Sequence, residues 1–349
     1  MNQTAPHGTA PAMAPLKRIL AVCTREETDA KTLEAALVLA DRWGAALQIL
    51  TVVEMPAELD RLARATGTTR AEGEQRLIES HTQRLQALAA SVAPGRSLPV
   101  DVRVGKCFLE IIRHVLAHRV DLVVKTAEDL GGSLRFLFAS TDQHLLRKCP
   151  CPVWLRLADR APTAPSGTRL AKTILAAVDV DAALTDEPDT QQALNRSIVE
   201  TAAAMAAVDG ATIRLLHVWD APSEGLIRLW SPDTSDHGTA ERYVRDVQMA
   251  HRRALDHLIA GARTWIGKDL ASRITFVPML RHGVARAVIP EEVAATHADL
   301  LVMGTIARIG VPGFIIGNTA EDVLNSVDCP VVTVKPPGYV SPVIAWPDR

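Results

Sequence analysis

No apolar run in this chain of 349 residues approaches the ~20 that a bilayer-spanning helix needs, so no membrane partner is expected. The first residues, "MNQTAPHGTAPAMAPLKR", lack both a basic cluster and an apolar stretch of signal-peptide length. Rich in Ala, Pro and Thr, residues 1–15 read as a disordered lead-in. Charge of one sign is not in excess. The 38 Lys and Arg nearly balance the 40 Asp and Glu, for a formal net charge of −2, and nothing favours nucleic acid as a partner. Cysteine is scarce: five residues, at positions 23, 107, 149, 151 and 329, odd in number and scattered. That argues against a disulfide framework and fits reduced thiols in a cytoplasmic protein. A nucleophilic triad, a Gly-Lys-Ser/Thr phosphate loop and a zinc-ligand set are all missing. No metal is required, and no residue stands out as a base for hydrolysis, so an efficient enzyme is the weaker expectation.

What is present is repetition. "KRILAVCT" (17–24) returns as "KTILAAVD" (172–179), "DLVVKT" (121–126) as "DLLVMGT" (299–305), and "CPVWLRL" (151–157) as "CPVVTVKP" (329–336). The last two pairs keep one separation, 121 to 299 and 151 to 329. The order reads as a tandem duplication with copies over 16–157 and 171–336. The Pro-, Ala- and Ser-rich stretch 158–170 is the expected linker, and 337–349 the C-terminal tail. With 48% hydrophobic residues, each copy can bury its own core.

Each copy alternates short apolar runs with helical patterns. The first predicts strands at "RILAVCT", "ALQILTVVE", "PVDVRV", "DLVVKT" and "PVWLRL". Helices lie between them, including "TLEAALVLADRWG", 71–92, "FLEIIRHVLAHR" and "TDQHLLRK". The second predicts strands at "TILAAVD", "TIRLLHV", "TFVPML", "DLLVMG" and "PVVTVK", with helices at 190–208, 240–264, 286–297 and 319–327. Five strands alternating with four helices imply right-handed crossovers and a parallel sheet covered by helices on both faces. Continuous Val, Leu and Ile runs fit strands buried on both sides. Such sheets bind ligands beyond the carboxyl ends of the strands, where strand order reverses.

One stretch has the composition of a phosphate cradle. "GTIARIGVPGFIIGNTAE" (304–321) follows an apolar strand, carries Gly304, Gly310, Gly313 and Gly317, and closes on a helix start. Glycine lets backbone approach a phosphate, and a helix N-terminus offers free N–H groups. The same residues also suit a plain turn with Asn318 as the cap and Glu321 completing a capping box. Composition alone leaves both readings open.

Both copies resemble the universal stress protein family, in its tandem two-domain form. The resemblance rests on "ILAAVD", "LLHVW", "ADLLVMGT" with its glycine loop, and "CPVVTVKP" in the second copy, and on "TDQHLLRKCPCPV" in the first. It implies two five-stranded α/β domains of the adenine nucleotide alpha hydrolase-like type, with strand order 3-2-1-4-5. Many members of the family hold ATP through Gly, two residues, Gly, nine residues, Gly and then Ser or Thr; others do not bind it. On this chain the pattern falls on Gly304, Ala307, Gly317 and Asn318, followed by Thr319; Ala307 and Asn318 are departures. The aspartate near the adenosine falls on Asp179 and the apolar residue ending strand two on Val218; Met303 precedes the first glycine. The expected ligand is ATP or another adenine nucleotide, held weakly, with another small ligand or a protein partner as the alternative and slow ATP hydrolysis as a third. In the first copy Lys125 is read in place of Gly304, Ala139 in place of Gly317 and Thr24 in place of Asp179. There Ser140, with Gln143 three residues on, caps the helix, and a Lys125–Glu128 ion pair fills the old pocket. The family also pairs fifth strands across a dimer axis, which implies an internal pseudo-dimer here and leaves a higher homo-oligomer open.

Four other features carry competing readings. His144, Cys149 and Cys151 lie close enough to suggest a metal or redox site, but the spacing fits neither a zinc ribbon nor a Cys-x-x-Cys pair, so a structural role is expected. His217 reads as a core or pocket-wall histidine. Arg242, Arg245, Arg252 and Arg253 read as a solvated helix face, and Trp230 falls in an irregular stretch, 226–239, that suits a lid or a docking surface.

Overall fold

The computed structural model describes residues 13, 15–55, 58, 65, 67–128, 140–157, 170–181, 188–230, 237–305 and 317–346. The first half runs β1 (Arg18–Val22), α1 (Glu26–Trp43), β2 (Ala46–Val53), α2 (Arg70–Val92), β3 (Val100–Val104), α3 (Cys107–His118), β4 (Leu122–Thr126), α4 (Ser140–Lys148) and β5 (Val153–Arg156). The second half runs β6 (Thr173–Ala177), α5 (Pro188–Ala206), β7 (Thr212–Trp219), α6 (Glu224–Trp230), α7 (His237–Trp265), α8 (Lys268–Ala271), β8 (Thr275–His282), α9 (Ala285–Ala295), β9 (Leu300–Gly304), α10 (Asn318–Leu324) and β10 (Val331–Val334). Among the described residues no helix is long and apolar enough to cross a membrane.

Local chemistry explains where several elements start and stop. α1 carries Glu26, Glu27 and Asp29 in its first turn, where the helix dipole favours acids, and ends on Gly44 at φ 63°. α2 opens on a closed capping box. The Glu72 N–H donates to the Thr69 hydroxyl at 3.2 Å, and the Thr69 N–H to the Glu72 carboxylate at 2.8 Å. Two expectations fail. Residues 226–230 belong to a helix, α6, in which Arg228 reaches back one turn to Glu224 at 2.8 Å, so Trp230 is helical and not irregular. Nor does Asn318 cap α10: the cap is Gly317, whose carbonyl accepts from the Ala320 and Glu321 N–H groups, and Asn318 is already helical with no capping hydrogen bond at this end. The capping box with Glu321 is therefore not formed.

All strands join one ten-stranded sheet in the order β3-β2-β1-β4-β5-β10-β9-β6-β7-β8. Each half is parallel with the 3-2-1-4-5 arrangement, and the halves meet at an antiparallel pairing of the two fifth strands. There Val153 faces Thr333, Trp154 faces Val332 and Leu155 faces Val331. The internal pseudo-dimer is thus a continuous sheet, and the pairing covers two edges that would otherwise be open.

Strand alternation sends side chains to two hydrophobic clusters. Ile19, Ala21, Ile174 and Ala176 join one beneath α1, α2, α5 and α7; Leu20, Val22, Leu175 and Met303 join the other beneath α3, α4, α9 and α10. Both clusters cross the seam between the halves. The Trp43 indole N–H donates to the Ala204 carbonyl at 3.1 Å across that seam. The tail crosses it as well. Tyr339 donates its hydroxyl to the Arg147 carbonyl at 2.9 Å, Ser341 to that of Lys148 at 2.7 Å, and Trp346 its indole N–H to Glu110 at 3.1 Å.

Candidate functional site

In the second half the carboxyl ends of β6, β7 and β9 lie side by side, with β6 between the other two. The chain leaves β6 toward β7 and leaves β9 toward β10, so strand order reverses between β6 and β9, the place where such sheets receive ligands. Three of the residues singled out above stand at this edge on neighbouring strands: Asp179 just past β6, Val218 near the end of β7, and Gly304 at the end of β9. Gly317, Asn318 and Thr319 stand where the chain re-enters structure, and the Gly317 N–H donates to the Thr305 carbonyl at 3.1 Å. Ala307 lies outside the described residues.

Asp179 is exposed and held from below. Its backbone N–H donates to the Asn195 amide oxygen at 3.0 Å, and its carbonyl accepts from the Asn195 and Gln191 amides of α5, at 2.5 and 3.3 Å. Its carboxylate accepts the Asp181 N–H at 3.0 Å. Gln191 and Asn195 escaped the sequence reading, although two polar residues four apart on the buried face of a helix are a legible signal. Beside Asp179 sits His217, buried, with Nδ1 3.8 Å from the Asp179 carboxylate and Nε2 2.9 Å from His251 Nδ1. Burial holds the His217 pKa below the ordinary histidine value; the nearby Asp179 charge only partly offsets it.

The two glycines differ. A methyl at Gly304 would come 2.8 Å from Leu194 of α5, so packing by itself favours glycine there. Among the described residues a methyl at Gly317 would meet nothing within 4 Å, and Asn318 and Thr319 beside it are exposed. Met303 points the other way, into the cluster beneath α9 and α10, and is buried. Val218 is half-buried against the same cluster.

The corresponding edge of the first half is filled. Strand pairing corrects the register read from the motif. Val22 pairs with Lys125 as Ala177 pairs with Met303, and Leu155 faces Lys125 as Thr333 faces Met303. Lys125 is therefore the counterpart of Met303, and Thr126 that of Gly304. The Thr126 hydroxyl pairs with the Thr32 hydroxyl at 2.7 Å, on the side where Leu194 lies over Gly304. Lys125 is fully buried. Its Nζ donates to Asp142 at 2.8 Å, to the Thr126 carbonyl at 3.1 Å and to Glu128 at 3.3 Å. Burial pulls its pKa down, but Asp142 and Glu128 more than offset this and hold it above the ordinary lysine value. Asp142 also accepts the Glu128 N–H at 2.8 Å. The expected Lys125–Glu128 pair is present, but the closer and fully buried partner is Asp142, which the sequence reading missed. On the opposite face Asp29 accepts from Arg84 at 2.7 Å and from the Arg25 N–H at 3.0 Å. Ala139 and the Ser140 side chain, with the cap expected of it, lie outside the described residues.

His144 does not join the two cysteines. Its ring stacks against Phe108 with centroids 4.4 Å apart, and among the described residues no three His, Cys, Asp or Glu side chains are grouped to hold a metal ion.

The model of the universal stress protein family matches the chain twice, over residues 15–155 and 171–335. The chain is 28% identical to universal stress protein E of Salmonella typhi over 337 residues, which covers 95% of this chain and 98% of that one. It is also 28% identical to universal stress protein E of Escherichia coli strain K12 over 340 residues, with the same coverage. Among solved structures, a putative universal stress protein from Pseudomonas aeruginosa UCBPP-PA14 superposes with a TM-score of 0.60 at 21% identity, covering 92% of this chain and 94% of that one.

Proposed function

The chain belongs to the universal stress protein family, and from that premise we propose that it is a tandem stress-response protein that works in the cytoplasm by binding, with one weak adenine-nucleotide site in its second half and none in its first. The observation that carries this reading is the opposite state of two equivalent strand edges. In the first half a buried lysine, two carboxylates and a hydroxyl pair fill the edge. In the second, Asp179, Asn318 and Thr319 are exposed, and among the described residues the position of a Gly317 side chain is open space. Asp179 and Val218 serve the adenosine side; Gly304, Ala307, Gly317, Asn318 and Thr319 serve the phosphates. Weakness follows from the two departures from the family pattern. A methyl at Ala307 and an amide at Asn318 each cost about one hydrogen bond, ~0.5–1.5 kcal/mol. Together that is ~1–3 kcal/mol, or about five- to a hundred-fold in affinity. Turnover is no part of the proposal.

A second reading, binding of a protein partner without nucleotide, has its own support in Leu229 and Trp230 of α6, which are 71% and 76% exposed. Calorimetry with ATP separates the two. The expected result is one weak site per chain, abolished by Gly317→Val, whose side chain enters the open space; Ala307→Gly should strengthen it or leave it unchanged. No heat at millimolar ATP, or a site indifferent to Gly317→Val, removes the nucleotide reading and leaves the partner one. Phosphate release that Gly317→Val also stops would instead reveal a slow ATPase.

A further inference from the structure

The family reading leaves Cys149 and Cys151 without a function. Cys149 follows α4 and is buried; Cys151, two residues on and just before β5, is half-buried and is the member of the pair that solvent reaches. Their sulfurs lie 3.7 Å apart. Residues two apart are never separated by more than ~7 Å between Cα atoms, so a bond between them needs only a local adjustment. The other half of the molecule supplies a cation at this point. Lys335, just past β10, is buried, and its ammonium donates to the Leu146 carbonyl of α4 and to the Thr305 hydroxyl. Among the described residues no carboxylate forms an ion pair with it, and the charges it feels most are the two sulfurs. Tyr339 also senses Cys149, and Cys151 senses Asp121. The hydrogen bond from Cys151 and the Lys335 charge favour a thiolate on Cys149, while the Cys151 thiol retains the proton. Cys23 and Cys107 are buried with the opposite bias: burial pushes the Cys23 thiol far up and the Cys107 thiol up to about 12.

We propose that Cys149 and Cys151 form an oxidisable dithiol that closes to a Cys149–Cys151 disulfide on reaction with hydrogen peroxide, with Lys335 as the positioning residue that holds the shared negative charge at the pair.

The chemistry balances in two steps. Reaction goes through the minor form in which the shared proton has passed to Cys149, because Cys151 is the sulfur that solvent reaches. The Cys151 thiolate then attacks one peroxide oxygen, the O–O bond breaks, and the departing hydroxide takes a proton from solvent and leaves as water. The Cys149 thiol next attacks the Cys151 sulfenic sulfur, the S–S bond forms, and a second water leaves with the sulfenic oxygen and the Cys149 proton. Two thiols and one peroxide give one disulfide and two waters. The sulfurs move from 3.7 Å to about 2.05 Å. The strain falls on the turn between α4 and β5, next to the carbonyls of Leu146, Arg147 and Lys148 that accept from Lys335, Tyr339 and Ser341 of the other half.

The test uses the full, reduced chain and hydrogen peroxide. The expected product is two hydrogen atoms lighter, has lost two of its five alkylatable thiols, and yields one peptide bridged between Cys149 and Cys151. In Cys149→Ser, a sulfenic acid should be trapped on Cys151 with no disulfide. Lys335→Met should slow bridging roughly tenfold at and below pH 7, where the folded lysine is charged, and so move its pH profile upward, with Lys335→Arg restoring most of the rate. Bridging to a different cysteine, over-oxidation without a bridge, or a pair still fully alkylated would overturn the proposal. So would a wild-type rate with no pH dependence, which can be read even if the Lys335 variants do not fold.

Discussion

Lys335 is a buried lysine at the seam between the halves, with only a carbonyl and a hydroxyl as acceptors among the described residues. Burial lowers its pKa from 10.5 to about 7. The sign of the linkage follows. Between pH 7 and 10.5 the unfolded chain holds the proton and the folded chain does not, so folding releases a proton and stability rises with pH across that window. Below pH 7 the folded state carries the buried charge at full cost. Urea midpoints at pH 7 and pH 9 should therefore increase in the wild type, and the increase should shrink in Lys335→Met. At pH 7 the variant should be equal to the wild type or more stable, by up to ~1–4 kcal/mol, because an apolar side chain replaces a desolvated ion. A steeper pH dependence in Lys335→Met would refute the assignment. Lys125 is the contrasting case, a lysine just as buried but with a carboxylate at 2.8 Å.

That contrast belongs to elements as much as to residues, because Lys125 and Asp142 tie β4 to α4. Breaking one partner leaves an uncompensated buried charge. Lys125→Met should cost about 3–5 kcal/mol, and Asp142→Leu a similar amount. Making both changes should return most of that loss, since two apolar groups then meet where two ions met. Denaturant titration of the three variants gives the coupling energy directly, and simple additivity of the single losses would show that the pair does not act as a unit. The strands were legible, though α6 was not: repeat spacing and apolar runs located each strand, because buried parallel strands advertise themselves as continuous Val, Leu and Ile. The contents of the first edge were not. Asp142 is seventeen residues from Lys125 and on another element, and no local pattern links them. The register slip at Lys125 came from aligning it to Gly304, the last residue of β9, whereas strand pairing fixes the position one residue earlier, at Met303. Asn318 had the composition of a cap, yet Gly317 performs that role with its carbonyl alone, so side-chain chemistry was a poor guide at that helix start. In the second half Asp179, Val218 and Gly304 stand at the ends of neighbouring strands, where topology alone decides proximity.

At the scale of the whole molecule the pairing of β5 with β10 converts two five-stranded sheets into one. Trp154 faces Val332 at its centre, both side chains buried in the cluster that spans both halves. β10 is flanked by β9 and β5, so it is an interior strand whose backbone groups are committed on both sides. A proline at Val332 removes one of those N–H donors and forces its ring into the ladder, at a cost of ~3 kcal/mol or more. The damage should not be confined to one half, because the Trp43–Ala204 contact and the tail contacts at Arg147 and Lys148 depend on the same alignment. Calorimetry of the wild type should show the halves unfolding together in one transition. Val332→Pro should lower the midpoint and split the transition in two, with the first half, which keeps its filled edge, melting later. A single unsplit transition in Val332→Pro would mean that the clusters hold the halves together without the strand pairing. In that case the seam would be a packed interface first and a continuous sheet second.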